Sequence, residues 1–234
     1  MPRVIAALLR HGEYHQLENT PSAWQPFQLT DKGLEQAKRS VSLLQGALQM
    51  FNWDLCPVID SSRLLRGWQT ADAIGEGLTN ILSSPIEIES FDELAERSLG
   101  SAANLTLQQI ESIIELDPRF NELPTDWKSN SQYQLPLQGA ESLMQAGERV
   151  AKHLDHRMAE LQQQVETDTV KLFVGHGAAF RHAAHRLGVM EFDQIAALSM
   201  YHCRPVFLER RYAGSWRHLT GEWKVRSRGE AFVD

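Results

Sequence analysis

The chain of 234 residues is 42% hydrophobic and 23% charged, which suits one globular domain over residues 1–234 with a sizeable core. A formal charge of −7 and a pI near 5.7 exclude the chain-wide basic footprint of a nucleic-acid binder, while leaving room for a small cationic pocket. Two cysteines, Cys56 and Cys203, make no disulfide framework and point to a reducing, cytoplasmic setting, and no apolar run approaches the length of a membrane span.

Residues 4–9, VIAALL, form a short continuous apolar run, as expected of a strand buried on both faces. The run is too short for the core of a signal peptide, so it reads as part of the folded protein. It stops abruptly on Arg10, His11, Gly12 and Glu13. Residues 16–29 hold Asn19, Pro21, Ser22 and Pro26 and read as loop. Thr30 suits an N-cap, and Leu34, Ala37, Val41, Leu44 and Leu48 follow at helical spacing. Residues 55–62 read as a second strand ending in small polar residues, and residues 66–78 as a second helix. Residues 85–91 alternate apolar and acidic side chains, the pattern of a half-exposed strand.

The segment 100–139 is irregular, with one helix expected at about 106–116, and reads as an insertion over one end of the sheet. A long amphipathic helix is expected over 140–165, then the strongest strand of the chain over 169–177, then a helix from 178 stopped by Gly188. Residues 199–211 and 221–228 read as a final antiparallel pair.

Strands alternating with helices predict an α/β fold, a three-layer αβα sandwich around a mostly parallel sheet. Ligands of such folds bind at the carboxyl ends of the strands. Here those ends carry Arg10-His11-Gly12, Asp60-Ser61-Ser62 with Arg66 just beyond, and Gly175-His176-Gly177. Two arginines can clamp a phosphate or carboxylate through charge-assisted hydrogen bonds. Gly12 and Gly177 would let backbone approach an anion, and the helix that Gly177 precedes would favour one at its N-terminus. Of two histidines in such a pocket, a neutral one can attack phosphorus and an imidazolium can stabilise charge on the phosphoryl oxygens. An acid for the leaving oxygen is also needed. Glu13, Asp92, Glu93 and Glu96 all lie near a strand end, and spacing alone does not choose among them.

Taken together, "LLRHGEY", "LTDKGLEQA", "SSRLLRGWQTADAI", "LAERSLG", "GAESLMQAGERV" and "FVGHGAAFRHAAHRLG" resemble, in order, the motifs of the histidine phosphatase superfamily, in its phosphoglycerate-mutase-like branch. The resemblance runs from Val4 to about Leu208. It implies that His11 is the nucleophile that becomes phosphohistidine, that Arg10, Arg66 and His176 complete the phosphate pocket, and that Glu96 is the proton donor. It implies no metal and no cofactor, and a small phosphorylated substrate or a phosphoprotein as partner. The chain departs from the mutase pattern. It has Tyr14-His15-Gln16-Leu17 after the signature, and only Arg119 in the insertion where mutases carry an arginine pair. These departures favour a phosphatase over a mutase, and the presence of both histidines, both arginines and a candidate acid argues against a non-catalytic phospho-ligand module.

Other features admit plainer readings. His153 with His156 and His182 with His185 have spacing that could hold a metal, but no third ligand is evident and solvated helix faces are the expectation. Trp127 and Tyr133 suit either a substrate mouth or an anchor for the insertion.

Overall fold

The computed structural model describes residues 2–82 and 84–227. Strand β1 (Val4–Arg10) lies at the centre of a seven-stranded sheet of order β4-β3-β5-β1-β7-β8, with β2 also paired to β5. The other members are β2 (Asp54–Leu55), β3 (Val58–Ser62), β4 (Glu87–Phe91), β5 (Thr169–Gly175), β7 (Val206–Arg210) and β8 (Trp216–Thr220). β1, β2 and β3 all run parallel to β5, and β4 runs parallel to β3. Antiparallel pairing is confined to one edge, where β7 pairs with β1 and β8 with β7. Val4, Ala6 and Leu8 face one side and Ile5, Ala7 and Leu9 the other, all of them buried. The continuous apolar run is therefore a strand covered on both faces.

The two covering layers follow from two amphipathic pairs. Helices α1 (Asp31–Phe51) and α2 (Leu65–Leu82) bury Val41, Leu44, Ile74 and Leu78 on one face. Helices α4 (Leu143–Gln164) and α5 (Gly177–Arg186) bury Val150, Leu154, Met158 and Phe180 on the other. Thr30 caps α1 by accepting the Gly33 amide at 3.0 Å. Leu34, expected in the apolar stripe of α1, is 38% exposed, because Gly33 takes the buried position in the first turn. A capping box of Ser142 and Gln145 starts α4 three residues later than expected. Among the described residues no helix is long and apolar enough to cross a membrane.

Three expectations need correction. The strand expected over 55–62 is broken in two, because Pro57 has no amide for the ladder; β2 ends at Leu55 and β3 starts at Val58. The expected final pair is also different. β7 turns tightly through Gly214, at φ +78°, and pairs with β8. The stretch beginning at Gly221 instead supplies β9 (Lys224–Val225), which pairs with β6 (Leu198–Ser199); Arg228 of the expected segment lies outside the described residues. A short helix, α6 (Phe192–Ala197), precedes β6. Lastly, His153 and His182 do not lie on solvated faces. His153 is buried against Asp60, and His182 is buried with Nδ1 on the Ala178 carbonyl and Nε2 on Ser131.

The segment 100–139 leaves and rejoins the fold at one place. Leu99 bridges Ala140, and the Ser101 amide donates to the Gln138 carbonyl at 3.0 Å. Inside it, a 3-10 turn (Gly100–Ala102) precedes α3 (Leu107–Leu116), which fills the expected helix and is capped by Thr106. Trp127 is buried with Ile110 and Leu135 in a small core that takes in Ala23 from the loop 16–29. Trp127 is thus an anchor, and the partly buried Tyr133 packs against the same cluster.

Candidate active site

β1 and β5 are in register so that Arg10 sits opposite Gly175. The next residue of each strand, His11 and His176, therefore emerges at the same rim, with ring centroids 5.0 Å apart. Ser62, ending the neighbouring β3, bonds His176 Nε2 through Oγ at 2.8 Å. Arg66, in the first turn of α2, reaches between the two rings. Its Nε donates to His11 Nε2 at 3.2 Å, and its Nη2 lies 3.3 Å from His176 Nδ1. His11, His176 and Arg66 are all buried.

The bonding pattern sets the tautomers. His11 Nδ1 donates to the Gly12 carbonyl at 2.7 Å, which leaves the Nε2 lone pair facing Arg66. On His176, Arg66 occupies Nδ1, so Nε2 carries the hydrogen given to Ser62. Burial first, and the Arg66 charge second, hold both imidazoles well below the usual histidine pKa. Both are neutral at pH 7. For His176 this is the state without a bound anion: beside Arg66 and away from water, a second cation is disfavoured.

Arg66 uses its guanidinium along two edges. The side edge, Nε with Nη2, faces the imidazoles. The end edge, Nη1 with Nη2, donates to the carbonyls of Gln25 and Ala23, each at 2.8 Å. Tyr14 lies beneath, with the Arg66 Cζ 4.4 Å from its ring centroid and its own ring edge-on to His11. The Tyr14 hydroxyl is bonded to Ser22 at 2.9 Å. Arg10 extends over the start of α5, donating from Nη1 to the Met200 carbonyl at 3.2 Å.

The four candidate carboxylates separate cleanly. Glu13 pairs with Lys32 at 2.6 Å, and Asp92 pairs with Arg63 at 3.0 Å. Glu93 is exposed on the 3-10 turn Asp92–Leu94. Glu96 is buried, and its Oε1 accepts the Arg97 amide at 2.9 Å and the Ala179 amide at 3.2 Å. It is close enough for its charge to act on Arg66 and Tyr14. The carboxylate of Glu96 thus takes the N-terminus of α5, the place where a bound anion was expected.

The two glycines also answer to crowding within the fold. The Gly12 amide is given to Thr70 Oγ1 at 3.1 Å, and a Cβ at Gly12 would collide with the Gly33 carbonyl. Gly12 therefore lets the loop after β1 cross the start of α1. At Gly177 a Cβ would press on the Arg10 side chain, 3.2 Å from Cδ, so this glycine makes room for Arg10.

The sequence model of the histidine phosphatase superfamily (branch 1) matches residues 6–220. The chain belongs to that superfamily. Its solved structural neighbours share the fold at low sequence identity. A mycobacterial glucosyl-3-phosphoglycerate phosphatase aligns with a TM-score of 0.67 and 19% identity, covering 97% of this chain and 99% of that one. A putative α-ribazole-5′-P phosphatase from Escherichia coli aligns at 0.66 and 19%, covering 97% and 98%. A phosphoserine phosphatase from Entamoeba histolytica, a variant solved in complex with phosphoserine, aligns at 0.61 and 18%, covering 93% and 96%. No curated protein sequence matches the chain.

This histidine phosphatase superfamily member also brings to its site residues that sequence reasoning did not find. His202 bonds the His11 carbonyl through Nδ1 at 2.6 Å, with ring centroids 5.6 Å apart. It arrives from beyond β6, where Cys203 adopts a left-handed φ of +55°, and no local pattern in the sequence announces it. Thr70, Gln25 and Trp24 reach the site in the same long-range way.

Proposed function

We propose that the chain hydrolyses a phosphate monoester through a phosphohistidine on His11, without a metal ion. The observation that carries this reading is the side edge of Arg66, whose Nε and Nη2 point at His11 Nε2 and His176 Nδ1. Two N–H groups so disposed match two oxygens of a phosphoryl group. A phosphoryl group gripped there faces the Nε2 lone pair of His11.

In this reading Nε2 attacks phosphorus, the P–N bond forms and the P–O bond to the leaving group breaks. Glu96 gives its proton to the departing oxygen. Water then attacks the phosphohistidine, Glu96 takes its proton, and the P–N bond breaks to release phosphate. The dianionic substrate also reverses the balance at His176. Beside it an imidazolium is favoured, with Nε2 on Ser62 and Nδ1 turned to the anion. Arg10, Arg66 and protonated His176 supply the positive charge that a metal supplies elsewhere.

The substrate is a phosphate monoester on a small molecule or a protein. The three neighbours named above carry different substrates in their names, so none transfers to this chain. A phosphatase is favoured over a mutase because Arg119, the one arginine of the insertion, is exposed and spent on Asp117 at 2.6 Å. The buried thiols of Cys56 and Cys203 are free, which supports a reducing, cytoplasmic setting.

Rapid mixing with labelled ester and an alkaline quench, which preserves phosphohistidine, is the test. Label is expected on His11, with turnover undiminished by a chelator. Label elsewhere, or normal turnover in His11→Ala, rejects the nucleophile; loss in chelator restored by a metal rejects metal independence.

A further inference from the structure

Ala23, Trp24 and Gln25 tie together two parts of the site that are far apart in sequence. The carbonyls of Ala23 and Gln25 hold the end edge of Arg66. Between them, Trp24 donates its indole Nε1–H to the Glu96 carbonyl at 2.7 Å. Arg149, from α4, donates to the same carbonyl at 3.2 Å, and also holds the carbonyls of Glu93 at 2.7 Å and Ala95 at 3.0 Å. Since Oε1 of Glu96 is held by the Arg97 and Ala179 amides, this residue is fixed at both ends.

The three-residue segment is a rigid bracket. Gln25 is fully buried; its Nε2 donates to the Pro21 carbonyl at 3.0 Å and its Oε1 accepts the Leu17 amide at 3.1 Å. Trp24 itself is 42% exposed and lies outside the core clusters, while its indole N–H is committed to the Glu96 carbonyl.

We propose that Trp24 is a positioning residue for Glu96, and that through the bracket it sets the acid relative to the anion gripped by Arg66. The proposal rests on the reading of Glu96 as the general acid. An anion on the side edge of Arg66 fixes the guanidinium plane. The end edge then fixes the carbonyls of residues 23 and 25, and the indole between them fixes the Glu96 peptide. Proton donation is sensitive to such placement, because reach of the leaving oxygen comes before acidity.

Trp24→Phe removes the N–H and keeps a ring at a half-exposed position, so folding is preserved and is checked by thermal melting. Single-turnover phosphoryl transfer is followed for an alkyl phosphate and for nitrophenyl phosphate, whose leaving group needs little protonation. The variant is expected to lower the alkyl rate about tenfold more than the nitrophenyl rate, as befits one lost positioning hydrogen bond. In a Glu96→Gln background the same substitution is expected to add less than twofold, since no acid remains to be positioned. Equal losses for both esters, no loss for the alkyl ester, or full additivity with Glu96→Gln overturns the proposal. If Glu96→Gln itself shows no leaving-group selectivity, the acid reading fails and this inference with it. Selectivity in Glu96→Gln but not in Trp24→Phe overturns the inference alone.

Discussion

Arg66 donates from Nε to Nε2 of His11 at 3.2 Å, so the group that would hold phosphate already holds the atom that would attack it. On the proposed function, nucleophile and anion grip are thus aligned before substrate arrives. The electrostatic cost falls on the histidines, whose protonation is suppressed first by burial and then by that same cation.

Replacing Arg66 by Lys keeps the charge and loses the two-edged plane. We expect vanadate and inorganic phosphate to inhibit Arg66→Lys at least tenfold less well, since a charge-assisted contact contributes roughly 1.5–3 kcal/mol. The bracket 23–25 also loses its partner, so protease cleavage within residues 16–29 is expected to quicken. Inhibition constants equal to those of the parent protein place Arg66 outside the anion site.

Glu96 and Glu93 are three residues apart, yet one is buried at the helix terminus and the other exposed. Glu96→Gln is expected to slow single-turnover transfer from alkyl phosphates by about 10²–10⁴-fold, and far less from nitrophenyl phosphate. Glu93→Gln is expected to alter neither by more than about twofold. A selective loss in the Glu93 variant moves the acid role there.

The lowered pKa values of His11 and His176 make stability depend on pH. In the unfolded chain each binds a proton as pH falls through about 6.5, while in the folded protein each stays neutral to well below that. The unfolded state therefore takes up more protons, and stability falls with acidification below about pH 6.5, by up to about 1.4 kcal/mol per pH unit for each histidine. Urea midpoints at pH 7 and 5.5 measure this. The drop is expected to shrink in the His11→Asn/His176→Asn double variant; an undiminished drop assigns the effect to other groups.

Asp60 is a buried charge beneath the site, 0% exposed, with Lys171 at 2.7 Å, Arg157 at 2.8 Å and His153 at 2.9 Å. Burial alone would raise its pKa, but the bonds from His153, Arg157 and Lys171 outweigh this and hold it below the usual value. Its contribution is present above the unfolded carboxylate range and is lost as pH falls through the folded value. Asp60→Asn leaves the buried Lys171 ammonium short of its counter-charge. We expect a loss of about 3–5 kcal/mol in urea unfolding at pH 7. A loss below about 1 kcal/mol shows that Lys171 is served by the Val58 carbonyl it also reaches.

What the sequence disclosed and what it hid divide along physical lines. β1 was legible because an unbroken apolar run that ends on Arg10-His11 has few other meanings, and β5 because its β-branched, aliphatic and aromatic residues, interrupted only by Lys171, end on Gly175-His176. The cap at Thr30 was legible because capping is local. The break at Pro57 was written in the sequence, yet the surrounding apolar residues masked it. The roles of Gly12 and Gly177 were not legible, because the crowding that demands them comes from Gly33 and from the Arg10 side chain, each brought by the fold. His202 and Trp24 were hidden for the same reason: their partners lie far away along the chain, and neither carries a periodicity of its own.

The meeting of Leu99 with Ala140 makes the segment between them a cassette on a closed neck. The Glu141 amide donates to the Ser98 carbonyl at 3.0 Å, and its carboxylate accepts the Ser98 amide at 2.9 Å, so the neck is sealed by its own bonds. Lengthening the excursion then puts no strain on the sheet, and closing a flexible loop of twice the length costs only about 0.6 kcal/mol more. Yet the cassette touches the site's own bracket, since Ala23 packs into its small core and the Leu107 amide donates to the Asn19 carbonyl at 2.9 Å. On the proposed function, exchanging it for a cassette of another shape would reshape the surroundings of residues 23–25 and leave Arg66 and His11 in place, so that the clientele could change while the chemistry stayed.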